Sequence, residues 1–207
     1  MNMKNVRILL IVISLLTMSS CFVVLEEVET DIAPVITISP KPIIPMSDTL
    51  VRSVKGDMIA FLPKGWFFVD VEDKISSDVF AVAVNPDYTL SAVFSCIKSD
   101  ESVNELVAKE GLIGLARSAL TKKQIKSGDA IKLTGKYAMI NMGTLSFCKY
   151  SYSTTGGALS ALSVVFISSL NQYYEFAIVP MNIKNKFIPP QKEIEDIFTS
   201  IVTTIQY

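Results

Sequence analysis

The residues that could carry chemistry in this chain are few, because none of its 207 residues is histidine. This absence excludes histidine-dependent triads, histidine general bases and zinc sites with an imidazole ligand. A hydrolase would need a Ser-Lys dyad, a carboxylate pair or a bare thiol, and none has a sequence signature here. Gly111 and Gly114 have the wrong spacing for a phosphate-binding loop and lie in a helical pattern. We therefore predict no catalytic residue and no cofactor, and that the protein is not an enzyme.

One acidic cluster could offer oxygen ligands to a metal ion, and it consists of Asp70, Glu72 and Asp73. Calcium takes about six to eight oxygen ligands, so three carboxylates at a strand end fall short. A solvated loop is the favoured interpretation, and we predict no metal site.

Two further groups could contact a ligand or a partner. Trp66 and the two phenylalanines after it could line a groove, but adjacent strand residues point to opposite faces, which favours a core position for Trp66. Lys122, Lys123 and Lys126 could contact an anionic partner, although a charged helix end is the commoner reason for such a cluster.

The N-terminal residues have the pattern of an export signal. Residues 1–7 carry two positive charges and no acid, and residues 8–18 (ILLIVISLLTM) are apolar. The segment 18–21 (MSSC) that follows resembles the lipobox of bacterial lipoproteins. This resemblance implies cleavage before Cys21 and lipid modification of its thiol, which would attach the chain to a membrane.

We accordingly predict a lipoprotein signal peptide over residues 1–20 and a location in the bacterial cell envelope. Phe22, where enteric sorting to the inner membrane would have Asp, favours the outer membrane by analogy. Two alternatives stay open: residues 8–25 as an uncleaved anchor at the lower limit for a membrane span, or an ordinary secretory signal with Cys21 incidental.

Cys96 and Cys148 both lie in predicted strands. In an exported protein they could form a disulfide, because such compartments permit oxidation. They could equally be two buried small hydrophobic residues, and their spacing does not decide between these possibilities.

The overall composition favours one folded domain. Half of the residues are hydrophobic and 19% are charged, and the formal net charge is -1. Such a chain has no basic field to attract phosphate backbones, so we predict no nucleic-acid partner.

Residues 21–55 read as a lipidated N-terminus followed by a tether, because four of the nine prolines stand between positions 34 and 45. Proline at this density favours extended backbone, and about thirty such residues could span roughly 90 Å. The apolar residues Val35, Ile36 and Ile38 could instead lie on the domain as an edge strand.

The remaining residues, 56–207, contain several strand-like segments and two amphipathic helices, the second of which is close to the C-terminus. Strands are predicted over 57–62, 66–71, 79–84, 90–97, 145–153, 159–169 and 173–179. A helix is predicted from Ser102, whose side chain can cap the Glu105 amide, to about Lys123. A second helix is predicted at the C-terminus, because apolar residues repeat at helical spacing on one face: Ile194, Ile197, Phe198, Ile201 and Ile205. The fold class is therefore α+β, with an antiparallel sheet and amphipathic helices packed on it.

The motif Ile59-x-Phe61-x-Pro63-x-Gly65-Trp66, in this order of elements, resembles the PsbP-like α/β/α sandwich. Proteins of that group mostly bind other proteins and share no catalytic centre. The resemblance thus implies a membrane-anchored, non-catalytic protein-binding or accessory module with a partner among envelope proteins. The alternative is a carrier or sensor of a small apolar ligand. An enclosed cavity of about 300 Å³ or more would favour the carrier, whereas an exposed apolar patch would favour the binding module.

Overall fold

A nine-stranded sheet forms the middle layer of the molecule in this computed structural model, which describes residues 31–70, 76–128, 130–154 and 160–207. The strands are β1 (Ile32–Thr37), β2 (Met46–Arg52), β3 (Ile59–Pro63), β4 (Phe67–Phe68), β5 (Val79–Val84), β6 (Leu90–Ile97), β7 (Ile131–Leu133), β8 (Tyr137–Met142), β9 (Leu145–Thr154), β10 (Ser160–Ile167) and β11 (Tyr173–Pro180). The helices are α1 (Glu101–Glu110), α2 (Leu112–Lys126) and α3 (Gln191–Val202). The predicted signal peptide and Cys21 lie outside the described residues.

The strand order in the large sheet is β1-β8-β9-β10-β11-β6-β5-β4, and β7 pairs with β9 beyond this path. Only the β1–β8 pair is parallel, and the other pairs among the described strands are antiparallel. Strands β2 and β3 form a separate antiparallel hairpin. The predicted α+β class with a mostly antiparallel sheet is confirmed.

The two faces of the sheet carry two separate cores, because successive strand residues point to opposite sides. On β10, Val164 and Phe166 pack with α3 and the β2–β3 hairpin, while Val165 packs with α1 and α2. The Phe176 ring on β11 stacks on the Phe198 ring of α3 with 5.5 Å between centroids. Three layers result: α1 and α2, the sheet, and α3 with the hairpin.

The single mid-chain helix predicted from Ser102 is two helices. Gly111 separates α1 from α2 with φ 62°, a left-handed conformation that glycine adopts without steric cost. The predicted cap also differs, since Asp100 accepts the hydrogen bond from the Val103 amide at 2.9 Å and α1 begins at Glu101. The apolar stripe was sufficient to predict helix, but the break depends on backbone geometry at one glycine.

Part of the segment predicted as a tether belongs to the folded body. Asp31–Tyr207 form one compact unit, and β1 lies on β8 as the edge strand that was the alternative interpretation. Pro34 is tolerated there because the outer side of an edge strand needs no backbone donor. Arg117 on α2 fixes the start of this strand through a 2.8 Å contact with the Asp31 carboxylate. The boundary proposed at residue 56 therefore does not separate tether from body among the described residues.

Asp57 attaches the β2–β3 hairpin to the large sheet. Its carboxylate accepts hydrogen bonds from Ser53 at 2.8 Å, Ser168 at 2.5 Å and Tyr174 at 2.6 Å. Burial by itself would raise the pKa of Asp57, but these hydroxyl donors together outweigh burial and hold the pKa below its ordinary value. The ionised carboxylate is therefore the form that the hairpin contact stabilises.

Candidate functional site

A groove of about 210 Å³ lies between α2 and the surface of β5, β6 and β11. Its floor is apolar and is formed by strand residues: Val79, Val93, Ile97, Ala177 and Val179. Its charged wall contains two carboxylates and an excess of lysines: Asp78, Glu175, Lys98, Lys122, Lys123 and Lys126. We call it the lysine groove. The combination suits a partner that presents both apolar and anionic groups.

The sequence places these lysines together through helix geometry. Lys122, Lys123 and Lys126 occupy the last turns of α2, where positions three and four apart share a face. Ala116 and Ala119 are buried on the same helix and let it approach the sheet closely. Lysines near a helix C-terminus also complement the negative end of the helix dipole. The predicted grouping of the three lysines is thus a physical cluster, joined by Lys98 from the end of β6.

The inner end of the groove is closed by a buried carboxylate, Glu175, whose exposed fraction is only 5%. One carboxylate oxygen accepts hydrogen bonds from Ser163, at 2.5 Å, and from the Tyr150 hydroxyl. The other oxygen accepts a hydrogen bond from the Lys123 ammonium, with which it forms an ion pair. Three donors therefore hold the Glu175 carboxylate in one fixed position.

Burial and the adjacent Glu175 charge raise the pKa of Tyr150 well above its ordinary value. Burial and the same carboxylate raise the pKa of Tyr152, whose ring lies 5.7 Å from the Lys123 ammonium. Both phenols therefore keep their protons at neutral pH, and Tyr150 acts as a hydrogen-bond donor. The Lys123–Glu175 ion pair thus attaches α2 to the sheet, and these groups are not arranged as an acid-base pair.

The outer lysines have partners that can be exchanged. The Lys98 ammonium lies 3.0 Å from the Asp78 carboxylate and Lys122 lies 3.3 Å from Asp100, while Lys126 donates to the Ser76 hydroxyl at 3.1 Å. Exposed ion pairs of this kind contribute only about 0–1 kcal/mol each. Carboxylates of a bound partner could therefore replace these contacts at little cost.

The two thiols of the described residues are free and far apart. Cys96 on β6 and Cys148 on β9 point to opposite faces, and β10 and β11 lie between their strands. Three strand spacings amount to about 14 Å, well beyond the Cα separation of about 7 Å that a disulfide allows. The possible disulfide is therefore not present. Cys96 and Cys148 fit the alternative prediction of small hydrophobic side chains packed in the sheet.

Neither thiol is set up as a nucleophile. Burial raises the pKa of Cys148 to about 12. Burial, and next to it the charges of Asp57 and Asp78, raise the pKa of Cys96. Because the thiolate is the reactive form, both side chains are poorly reactive at neutral pH.

The other candidate residues are separated by the fold. Trp66 is buried in the core, as predicted, and Phe67 and Phe68 are partly exposed on the short edge strand β4. Asp70 is exposed, whereas the rest of the acidic cluster predicted as a solvated loop lies outside the described residues. No group of three or more potential metal ligands occurs in the described parts of the chain.

Glu175 was missed by sequence reasoning. The available signal was a charged residue in the middle of the apolar run 173–180 (YYEFAIVP). Such a residue must be paired when its strand is central, because a buried charge without a partner is very costly. Its partners lie on α2, β9 and β10, and their proximity follows only from the tertiary arrangement.

These features define a PsbP-like α/β/α sandwich with a lysine-lined groove on its two-helix face. No family model matches the chain, and no curated protein sequence matches it. The solution structure of cyanobacterial PsbP (CyanoP) from Synechocystis sp. PCC 6803 is similar with a TM-score of 0.54 and 16% identity. The similarity covers 77% of this chain and 92% of that chain and shows the fold alone.

Two further solved structures are similar at lower scores. The Ran-binding protein Mog1p of Saccharomyces cerevisiae has a TM-score of 0.48 and 13% identity, covering 78% of this chain and 95% of that one. LpqN, involved in cell envelope biogenesis of Mycobacterium tuberculosis, has a TM-score of 0.42 and 14% identity, covering 78% and 90%.

Proposed function

We propose that this chain is a lipid-anchored protein of the bacterial cell envelope that acts as a non-catalytic binding module. Cleavage before Cys21 and acylation of its thiol attach the chain to the outer membrane. The support for this anchor is the charged start, the apolar segment 8–18 and the cysteine that follows two serines. Among the described residues, no helix is long and apolar enough to cross a bilayer.

The observation that carries the binding role is the lysine groove. Its apolar floor and its four lysines suit an acidic, partly apolar segment of another envelope protein. Charge complementarity of this kind raises the association rate and selects among partners. The proposed partner is therefore an envelope protein that presents such a segment.

The alternative of a carrier for a small apolar ligand has less support. The lysine groove holds about 210 Å³, and two other surface depressions, of about 370 and 430 Å³, also open to solvent. An apolar carrier would enclose most of its ligand's surface. None of these three depressions is enclosed in that way.

Replacing Cys21 with alanine tests the anchor. We expect Cys21→Ala to abolish incorporation of radiolabelled palmitate and to leave an uncleaved precursor, since the acceptor thiol is gone. Cys96→Ala is the matched control, and it should incorporate palmitate like the unchanged chain. Palmitate incorporation into Cys21→Ala, or an unmodified mature N-terminus by mass spectrometry of the native protein, would contradict the proposed anchor.

Charge reversal tests the groove in the anchored protein. A photo-crosslinking residue at Val79, on the groove floor, should give an adduct with one envelope protein. We expect Lys98→Glu together with Lys126→Glu to lower its yield about tenfold or more, which corresponds to about 1.4 kcal/mol of lost attraction. The control is Lys41→Glu with Lys192→Glu, two exposed lysines elsewhere on the surface. Equal yields from both double variants would exclude the lysine groove as the binding surface.

A further inference from the structure

Several exposed apolar side chains belong to segments that lie at one end of the large sheet. Phe187 has 98% of its surface exposed, Tyr88 50%, Ile183 40% and Phe67 38%. We call these four residues the aromatic end. Single exposed apolar residues are ordinary, but three aromatic rings and an isoleucine at one end form a surface that water solvates poorly.

Contacts between neighbouring segments hold the aromatic end together. The Phe67 ring meets the Tyr88 ring edge-on, with 5.5 Å between centroids. The loop after β11 is joined to the β5–β6 turn because the Met181 amide donates to the Thr89 carbonyl at 2.8 Å. Lys186 in this loop lies 3.8 Å from Asp87 in the same turn. The surface is therefore a defined part of the body.

The β5–β6 turn holds Tyr88 in an uncommon backbone conformation. Tyr88 has φ 57°, in the left-handed region where glycine or asparagine would cost less. Such a conformation has an energetic cost, which the surrounding contacts must offset. In the folded chain the ring is half exposed, and its described ring contact is with Phe67.

The charges beside the aromatic rings are two lysines and one aspartate, Asp87, which pairs with Lys186 and leaves an excess of one positive charge. Lys184 and Lys186 are exposed on the same loop and immediately precede Phe187. Aromatic rings with neighbouring lysines are the composition that proteins place at a membrane interface. The lysines add attraction to anionic headgroups, at about 1 kcal/mol for each residue near the surface.

The strand directions place the start of β1 at the same end of the large sheet as these residues, while β1 and β4 form its opposite edges. Strands β1 and β8 run in parallel away from the end that carries these residues, so the chain enters the sheet from that side. From Cys21 to Asp31 there are ten residue steps, which can span at most about 35 Å. If Cys21 carries lipid, as the proposed function has it, this reach keeps Asp31 within about 35 Å of the lipid.

We infer that the aromatic end contacts the bilayer that holds the Cys21 lipid, with Phe187 inserted at the level of the headgroups. In this orientation the rim of the lysine groove faces away from the membrane, since Lys98 and Asp78 lie where β6 ends and β5 begins, at the opposite end of the sheet. Membrane contact would thus leave the groove free for a partner.

The test uses the lipidated chain in vesicles of phosphatidylethanolamine and phosphatidylglycerol with brominated acyl chains. Bromine quenches a nearby indole, so Phe187→Trp should lose emission at least about twofold more strongly than Leu170→Trp, as expected for a side chain at the headgroup and acyl boundary. Leu170 is the matched control because it is 57% exposed in the β10–β11 turn, at the other end of the sheet. Trp66 is buried, so the unsubstituted chain gives the background.

The outcomes separate this inference from the proposed function on which it rests. Mass spectrometry of the same sample reports the lipid on Cys21, and an unmodified thiol would overturn both. If the chain is lipidated and the indoles introduced by Phe187→Trp and Leu170→Trp are quenched equally, the membrane contact alone is overturned. The same holds if the indole of Phe187→Trp stays unquenched.

Discussion

Replacing Glu175 with alanine is expected to lower the free energy of unfolding by about 3–5 kcal/mol, the range for breaking a buried ion pair from one side. The change removes the acceptor for three donors at once: Lys123, Tyr150 and Ser163. Lys123 and Tyr150 would then lose their carboxylate partner, and each such loss adds a desolvation cost, whereas Ser163 keeps the Phe176 carbonyl at 3.3 Å. Glu175→Gln keeps the volume and an acceptor oxygen, so its effect should be smaller.

Urea unfolding of the purified chain, followed by tryptophan fluorescence, measures this effect. Glu195→Ala serves as the control because Glu195 is exposed on α3, and its effect should stay within about 0.5 kcal/mol. Similar midpoints for Glu175→Ala and Glu195→Ala would show that the carboxylate network does not stabilise the fold. If Glu175→Ala folds, the unpaired Lys123 should also strengthen the positive charge of the lysine groove.

Much of the fold could be predicted because its strands carry local signals. Strands β5, β6, β9, β10 and β11 coincide closely with the predicted segments, since each is a β-branched or aromatic run between turn residues. The C-terminal helix was also clear, because Ile194, Ile197, Phe198 and Ile201 repeat at helical spacing and are all buried.

The parts that could not be predicted depend on long-range pairing. Strand β1 contains Pro34 and pairs in parallel with β8, about a hundred residues away, so a local pattern of prolines and apolar residues indicated only extended chain. The distance between Cys96 and Cys148 likewise could not be predicted from the sequence, because it depends on β10 and β11 lying between their strands.

In the lysine groove, too, one part could be predicted from local sequence and another part depends on tertiary packing. Lys122, Lys123 and Lys126 share one helix, so their grouping could be predicted from spacing alone. That Lys123 turns inward to Glu175 while Lys126 stays at the rim depends on where β11 passes beneath α2. Sequence spacing therefore indicated the charge of the groove, and tertiary packing decided which charges remain available to a partner.

Gly114→Ala is the second change with a large expected effect, because Gly114 is the position where α2 lies against the backbone of α1. A Cβ built there would lie 2.3 Å from the Leu106 carbonyl oxygen and 2.8 Å from its carbon. Both atoms belong to backbone, so the two helices would have to move apart. Overpacking costs about 1–3 kcal/mol, and alanine's better helix propensity offsets about 1 kcal/mol of it. We expect the free energy of unfolding to fall by about 2 kcal/mol because the contact is unusually short.

Gly111→Ala is the control that separates the steric clash at Gly114 from the backbone cost of replacing a glycine. Gly111 has φ 62° and ψ -138° but no atom within 4 Å of a built Cβ, so alanine there meets only the backbone cost, about 1–3 kcal/mol. Urea unfolding should therefore show that both variants are destabilised, while hydrogen exchange in the middle of α1, around Leu106, should speed up only for Gly114→Ala. An unchanged or increased stability of Gly114→Ala would mean that the helices can separate without cost and that Leu106 does not fix their spacing.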